Sequence, residues 1–344
     1  MISTHENFAD FAARIEEIER TKQDYVVATD SVKMTDPDTL HVAGLGPFGL
    51  TRHASGQVAD RLQIPRKFWD RTTEYVGLRE DIVNTMLSQK RERRMIRTLD
   101  GNARAWLSDR FKPRDNWFVL NAIAPTMQQH DDLEINSKTL SETRMYLQVT
   151  FPRMEREVTV GDVVRAGIVI SNSEVGAGAV NVETLIWRLQ CRNGMIGKSL
   201  LRSTHVGSRV DFDDDRSYDV FQDDTMEAEL RSLQLRLRDV VAAALTESAF
   251  EAEVAKLRDA AGDAIRDPDQ TIENVTQRYG LPEASKTPLL VNMAEEHNMN
   301  RYGLANAITN WAKDLDDRDA QYETERIGAK LIDVSKREWS DMVA

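Results

Sequence analysis

Between Arg61 and Arg114 the chain interleaves basic and aromatic side chains, with Phe68, Trp69, Tyr75, Trp106 and Phe111 standing among 14 Lys and Arg residues. Guanidinium and ammonium groups pair with phosphate oxygens and aromatic faces stack on bases, so this mixture has the chemistry of a single-strand nucleic-acid surface. Arg93, Arg97, Arg104, Arg110, Lys112 and Arg114 are the candidate phosphate contacts, and Trp106 and Phe111 the candidate base stackers. A second island, residues 184–210, holds Arg188, Arg192, Lys198, Arg202 and Arg209 without one carboxylate. Strand alternation there puts Arg188, Gln190 and Arg192 on one face and Leu189 and Cys191 on the other, a second phosphate track that takes in Lys198 and Arg202. The competing reading is plain: these cations pair with Asp and Glu of the acidic segments, line a subunit interface, or lie on a solvated strand face.

Other chemistries leave weaker traces. Gly194-Met195-Ile196-Gly197-Lys198-Ser199 ends like a phosphate-binding loop, but that pattern requires glycine at position 192, where Arg192 stands. Gly176-Ala177-Gly178 lacks the third glycine of a dinucleotide fingerprint and runs into β-type sequence. Asp211, Asp213 and Asp215 have the opening spacing of a calcium loop, with Arg216 in place of its glycine and Gln222 in place of its bidentate glutamate. The six histidines, at 5, 41, 53, 130, 205 and 297, form no metal-ligand cluster in sequence. The segment Val169-Ile170-Ser171-Asn172-Ser173-Glu174-Val175-Gly176 offers small polar groups at a strand end that could bind a phosphate or a base edge, with turn chemistry the slightly favoured reading. No nucleotide, cofactor or metal is expected. A nuclease built from scattered carboxylates ranks lowest among the readings.

The whole chain of 344 residues is acidic, with a formal charge of −12. By segment the charge runs −5 over 1–60, +7 over 61–114, −5 over 115–183, +5 over 184–210 and −14 over 211–344. Indiscriminate coating of nucleic acid by the whole surface is therefore excluded, while a localised basic groove is not. Cys191 is the single cysteine, which rules out an intramolecular disulfide and points to a reducing compartment. No apolar run reaches the length of a membrane span, and the opening residues lack the pattern of a signal peptide, so a cytoplasmic protein with no membrane partner is expected.

Elements that must carry the candidate residues follow from periodicity. Phe8, Phe11, Ala12, Ile15 and Ile18 predict an amphipathic helix, Tyr25–Ala28 and Leu40–Ala43 predict strands, and Gly44 to Gly49 reads as a loop. Helical pattern resumes from Ser55, breaks at Pro65, and returns through Ile82 to Leu87. Asp100-Gly101 between RRMIRTL and NARAWLS predicts a hairpin on a type I′ turn, pairing Leu99 with Asn102 and Arg93 with Ser108. In that register Arg97 faces Arg104, an opposition that an anion would relieve. Thr143–Phe151, Val163–Asn172 and Glu183–Cys191 predict three further strands. Beyond the acidic stretch at Asp211–Asp215 the pattern turns to helices, around Leu230–Val241, Phe250–Ile265, Leu289–Ala294, Leu304–Leu315 and Ile327–Val334. The expected architecture is α+β: a curved antiparallel sheet packed with helices over 1–210, then a mostly helical acidic region over 211–344 that serves self-assembly or docks a basic protein partner.

Four stretches carry a family resemblance: IPRKFWDR (64–71), RTLDGNARAWLSDRFKPRDN (97–116), RAGIVISNSEVGAGAVNVETLIWRLQCRNGMI (165–196) and GLANAITNWA (303–312). In the combination LSDRF…DN, SNSEVG and RLxCxNGM the chain resembles the phage/plasmid-like proteins that carry the domain of unknown function 932. The resemblance implies a protein of a bacterial mobile element and brings no catalytic residues with it. By analogy it extends to phage single-strand annealing proteins such as RecT and Red-beta, which are oligomeric, use no nucleotide and hold a strand in a basic groove. The function expected is ATP-independent binding of nucleic acid, single-stranded DNA foremost, in annealing, recombination or replication. The rival expectation is a protein-interaction module, such as an inhibitor of host defence.

Overall fold

The computed structural model describes residues 3–4, 8–89, 91–129, 132–205, 223–244 and 246–343. Along the chain these form β1 (Ser3–Thr4), α1 (Phe8–Thr21), β2 (Gln23–Ala28), β3 (Val32–Asp36), β4 (Thr39–Val42), β5 (Gly46–Leu50), α2 (Arg52–Arg61), α3 (Arg66–Thr72) and α4 (Leu78–Gln89). The hairpin β6 (Arg93–Leu99) and β7 (Asn102–Ser108), helix α5 (Asn116–Met127), and strands β8 (Glu134–Leu140), β9 (Met145–Thr159), β10 (Asp162–Asn172), β11 (Val180–Arg188) and β12 (Asn193–Ser203) come next. The remainder is helical: α6 (Asp223–Ala244), α7 (Glu247–Ala261), α8 (Pro268–Tyr279), α9 (Lys286–Glu295), α10 (Arg301–Trp311), α11 (Arg318–Asp333) and α12 (Lys336–Met342). The α+β class and its order, a sheet region and then a helical region, are those expected. The acidic stretch Asp211–Asp215 and Arg209 lie outside the described residues.

The strands divide between two six-stranded sheets. The first has the order β2-β6-β7-β5-β4-β3 and is antiparallel except where β5 runs parallel to β7; the second, β1-β8-β9-β10-β11-β12, is antiparallel throughout. Gly46–Leu50, read from its glycines as a loop, is therefore a strand. Pairing with β4 on one side and β7 on the other, with Phe48 turned into the core, outweighs the local turn propensity. Helices α2, α3 and α4 close this first sheet through Val58, Trp69, Val83 and Leu87, which pack on Val32, Leu40, Ile96 and Trp106.

The second sheet is shared by two sets of helices. Leu147, Val149, Ile168, Ile170 and Val182 bury with Phe11 and Ile15 of α1, Ile123 of α5 and Leu237 of α6. Val164, Ala166, Ile186 and Met195 join a larger core built from α7 to α12, including Leu257, Val275, Leu289, Leu304 and Leu331. On the opposite face Val169 buries with Tyr146, Leu185, Ile196 and Tyr322 of α11, and burial of both faces explains why β10 reads as the near-continuous apolar run Val163–Ile170 rather than an alternating one.

At the centre of the larger core, α10 is buried along nearly its whole length. The Asn300 side chain caps it by accepting from the Gly303 amide at 2.8 Å. A methyl at position 303 would land on the Asn298 carbonyl and lie 2.7 Å from its Cβ. Gly303→Ala is therefore expected to destabilise the chain by about 1–3 kcal/mol, the usual cost of overpacking a core. A thermal melt within a degree or two of the unmodified chain would refute this.

Candidate nucleic-acid interface

The β6–β7 hairpin turns as expected: Asp100 and Gly101 both have positive φ, 51° and 78°, the type I′ signature, and Leu99 pairs with Asn102. Two residues further on, a bulge shifts the register, so that Arg97 pairs with Ala105, Ile96 with Trp106 and Arg94 with Ser108. The expected opposition of Arg97 and Arg104 does not occur. The shift has a packing cause: it places Ile96 and Trp106 together in the core of the first sheet and turns Met95, Ala105 and Leu107 towards Phe111 and Val175.

That shift removes several candidates from solvent. Arg97 is fully buried, forked onto Asp24 at 2.9 Å through Nε and 2.9 Å through Nη2, with Nη1 2.8 Å from Asp115 and 2.7 Å from the Glu174 carbonyl. Arg104 is also buried and its Nη1 donates to Glu174 at 2.6 Å, while Nε and Nη2 have no hydrogen-bond partner. Glu174 also accepts from the Asn116 amide at 2.7 Å, and Asn172 donates to the Arg114 carbonyl and to Asn116 Oδ1. The segment Ser171–Gly176 is thus a buried polar hub that ties hairpin, α5 and β10 together. It binds protein groups, in keeping with its reading as turn chemistry.

The aromatic candidates are likewise packed. Trp106 is 2% exposed and belongs to the core, so it offers no face to a base. Phe111 is 8% exposed and lies flat on His205, the ring centroids 5.0 Å apart and the planes at 5°. Burial pushes the His205 pKa down to about 4, the Lys112 carbonyl opposing and Arg114 adding to the shift. Lys112 pairs with Glu229 of α6 at 2.7 Å, and Arg114 reaches the Ser203 hydroxyl at 2.7 Å and the Thr204 carbonyl. In the second island Arg188 is buried between Asp162 at 2.7 Å and Glu296 at 2.5 Å. Arg192 and Lys198 are exposed, and neither shares a cleft with Arg93 or Arg110.

Part of the first island and Arg202 of the second converge. A cleft of about 1040 Å³ opens between the ends of β6 and β7, the end of α2, the Gly176–Ala179 loop and the end of β12. Arg61, Arg91, Arg93, Arg94 and Arg110 from the first island and Arg202 from the second line it, against Asp30, Asp60, Glu92 and Asp109. Arg91 lies 3.5 Å from Asp30 and Arg94 pairs with Glu92. Burial presses the Arg94 guanidinium below its ordinary value, against the pull of Glu92. Arg61, Arg93, Arg110 and Arg202 are exposed, and among the described residues no carboxylate comes within 4.0 Å of any of them. Phe111 and His205 form part of the wall.

Arg93, Arg110 and Arg202 are thus the predicted residues that share the cleft with no carboxylate within 4.0 Å among the described residues. Arg61, Arg91 and Arg94 were not among the candidates. The signal for two of them was visible in the run Arg91-Glu92-Arg93-Arg94, whereas Arg61 is just the basic last turn of α2. Among the described residues no three His, Cys, Asp or Glu side chains come together to hold a metal ion, and no helix is long and apolar enough to cross a membrane. Comparison with protein-family models, with curated proteins and with solved structures finds no match to this chain.

Proposed function

We propose that the arginine cleft binds a nucleic-acid strand, single-stranded DNA foremost, without nucleotide hydrolysis, in strand annealing, recombination or replication of a phage- or plasmid-like element. One observation carries the reading. Five arginines of the first basic island and Arg202 of the second meet in one cleft, and among the described residues Arg61, Arg93, Arg110 and Arg202 have no carboxylate within 4.0 Å there. Guanidinium groups without carboxylates attract phosphate, and spacing them along a cleft suits a backbone that repeats its charge. Phe111 and His205 in the wall are buried and stacked on one another, so base stacking contributes little, sequence preference is weak and affinity is mainly electrostatic.

The test is a salt titration. The unmodified chain is expected to shift a single-stranded oligonucleotide at about 50 mM salt, with affinity falling steeply as salt rises. Changing Arg61, Arg93, Arg110 and Arg202 together to alanine is expected to flatten the slope of log K against log salt by roughly 3, since each single-strand phosphate contact contributes about 0.7. Lys198→Ala, away from the cleft, serves as the control and leaves the slope unchanged. No shift by the unmodified chain at about 50 mM salt, or equal slopes for the two proteins, sinks the proposal.

A further inference from the structure

A second cavity, of about 360 Å³, lies between the second sheet and α11, within the size range of small-molecule sites. Its floor is polar and buried. Glu325 is 3% exposed and accepts from Gln148 at 2.8 Å and from Gln321 at 3.4 Å. Beside them a bulge between Ile135 and Ser137 takes Asn136 out of register, and its Oδ1 is buried with no hydrogen-bond partner. The half-buried ring of Trp187 forms part of the wall.

Lys138, Arg192, Lys313 and Arg318 line the same cavity. Lys313 donates to the Cys191 carbonyl at 2.7 Å and Arg318 to the amide oxygen of Gln321, both neutral acceptors. Among the described residues none of the four cations has a carboxylate within 4.0 Å. In a chain of formal charge −12 this is a local concentration of unneutralised positive charge. Arg192 also holds a left-handed backbone, φ 50°, which is uncommon for a residue with a side chain.

We propose that this cavity binds a nucleoside monophosphate, free or as the phosphorylated end of a strand. Its ring lies against Trp187, its polar edge meets Asn136, Gln148 and Gln321, and its phosphate is held by Arg192, Lys313 and Arg318. Planar stacking, amide groups set in the floor and clustered guanidinium groups are the three parts such a ligand requires. The site is separate from the arginine cleft and stands whether or not the cleft binds DNA.

Calorimetric titration of the full chain tests it with a panel of nucleoside monophosphates, the matching nucleosides, inorganic phosphate and a 5′-phosphorylated oligonucleotide. Saturable binding of at least one monophosphate at one site per chain is expected, with the nucleoside and inorganic phosphate each weaker by about tenfold or more. Competition by the phosphorylated oligonucleotide, and not by its unphosphorylated form, would identify a strand end as the source; its absence would identify the free nucleotide. Arg192→Gly suits the left-handed backbone and keeps the fold, and it is expected to weaken binding about tenfold, as is Arg318→Ala. Trp187→Leu is expected to erase the preference over inorganic phosphate. The cleft variant lacking Arg61, Arg93, Arg110 and Arg202 retains the binding. No saturation by any monophosphate, affinity unchanged in Arg192→Gly and Arg318→Ala, or loss of binding in the cleft variant overturns the proposal.

Discussion

Replacing Arg97 with alanine is expected to lower folding stability by about 3–5 kcal/mol, because it removes a fully buried cation from the buried Asp115 carboxylate and empties the space the side chain fills. Asp24 loses both arms of its fork and Asp115, largely buried, keeps only Lys22. Although burial opposes it, Arg97 draws the Asp115 carboxyl below the usual carboxylate range, so the pair is ionised in the folded chain. Arg97→Lys keeps the charge without the planar fork and should fall between the two. Urea unfolding at neutral pH reads the difference. A loss under about 1 kcal/mol, together with a large drop in affinity for an oligonucleotide, would return Arg97 to the binding surface and contradict its buried place.

The second large effect concerns Glu325. Burial pushes its pKa up to about 8, against the pull of Gln148 and Gln321, from an ordinary value of 4.5. The folded chain therefore keeps a proton that the unfolded chain releases above about pH 4.5. This contribution to stability is largest below that pH, declines as pH rises towards 8 and is level beyond it. At about 1.4 kcal/mol per unit the loss reaches a few kcal/mol. Glu325→Gln is nearly isosteric, keeps an acceptor for Gln148 and carries no proton to lose. Without ligand it is expected to exceed the unmodified chain by on the order of 3–5 kcal/mol above pH 8, with the gap closing towards pH 5. Glu183, also raised by burial despite Arg326, adds a slope of the same sign to both proteins and cancels in the comparison. Parallel stability curves, or a variant weaker than the unmodified chain above pH 8, would rule out this account.

The hairpin shows how far local sequence reaches. Asp100-Gly101 names its own turn, because two consecutive positive φ angles suit few other pairs. Beyond the turn, RRMIRTL and NARAWLS accept either of two registers a residue apart, and only the core that receives Ile96 and Trp106 chooses between them. Similarly, β8 is polar and lacks alternation; it is a strand because β9 offers it a ladder of backbone groups. Helices α1, α7, α10 and α11 announced themselves by apolar spacing. Helices α8 and α12 did not: their few apolar side chains, Ile272 and Val275 in α8 and Trp339 and Met342 in the seven-residue α12, become buried only against one another and the rest of the helical core.

Sequence alone determined the α+β order, the hairpin turn, the lone cysteine and the separation of charge into basic islands within an acidic chain. Those properties reside in neighbouring residues and in counts. Tertiary structure decided which arginines are paired with carboxylates in the interior and which stay open. Arg97 is neutralised by Asp24 and Asp115, Arg104 by Glu174 and Arg188 by Asp162 and Glu296, partners brought in from distant segments. Arg61, Arg93, Arg110 and Arg202 meet no such partner among the described residues and share a cleft instead. An ion pair forms only when two groups come within about 4 Å, a condition set by the packing of whole elements and invisible to the spacing of residues along the chain.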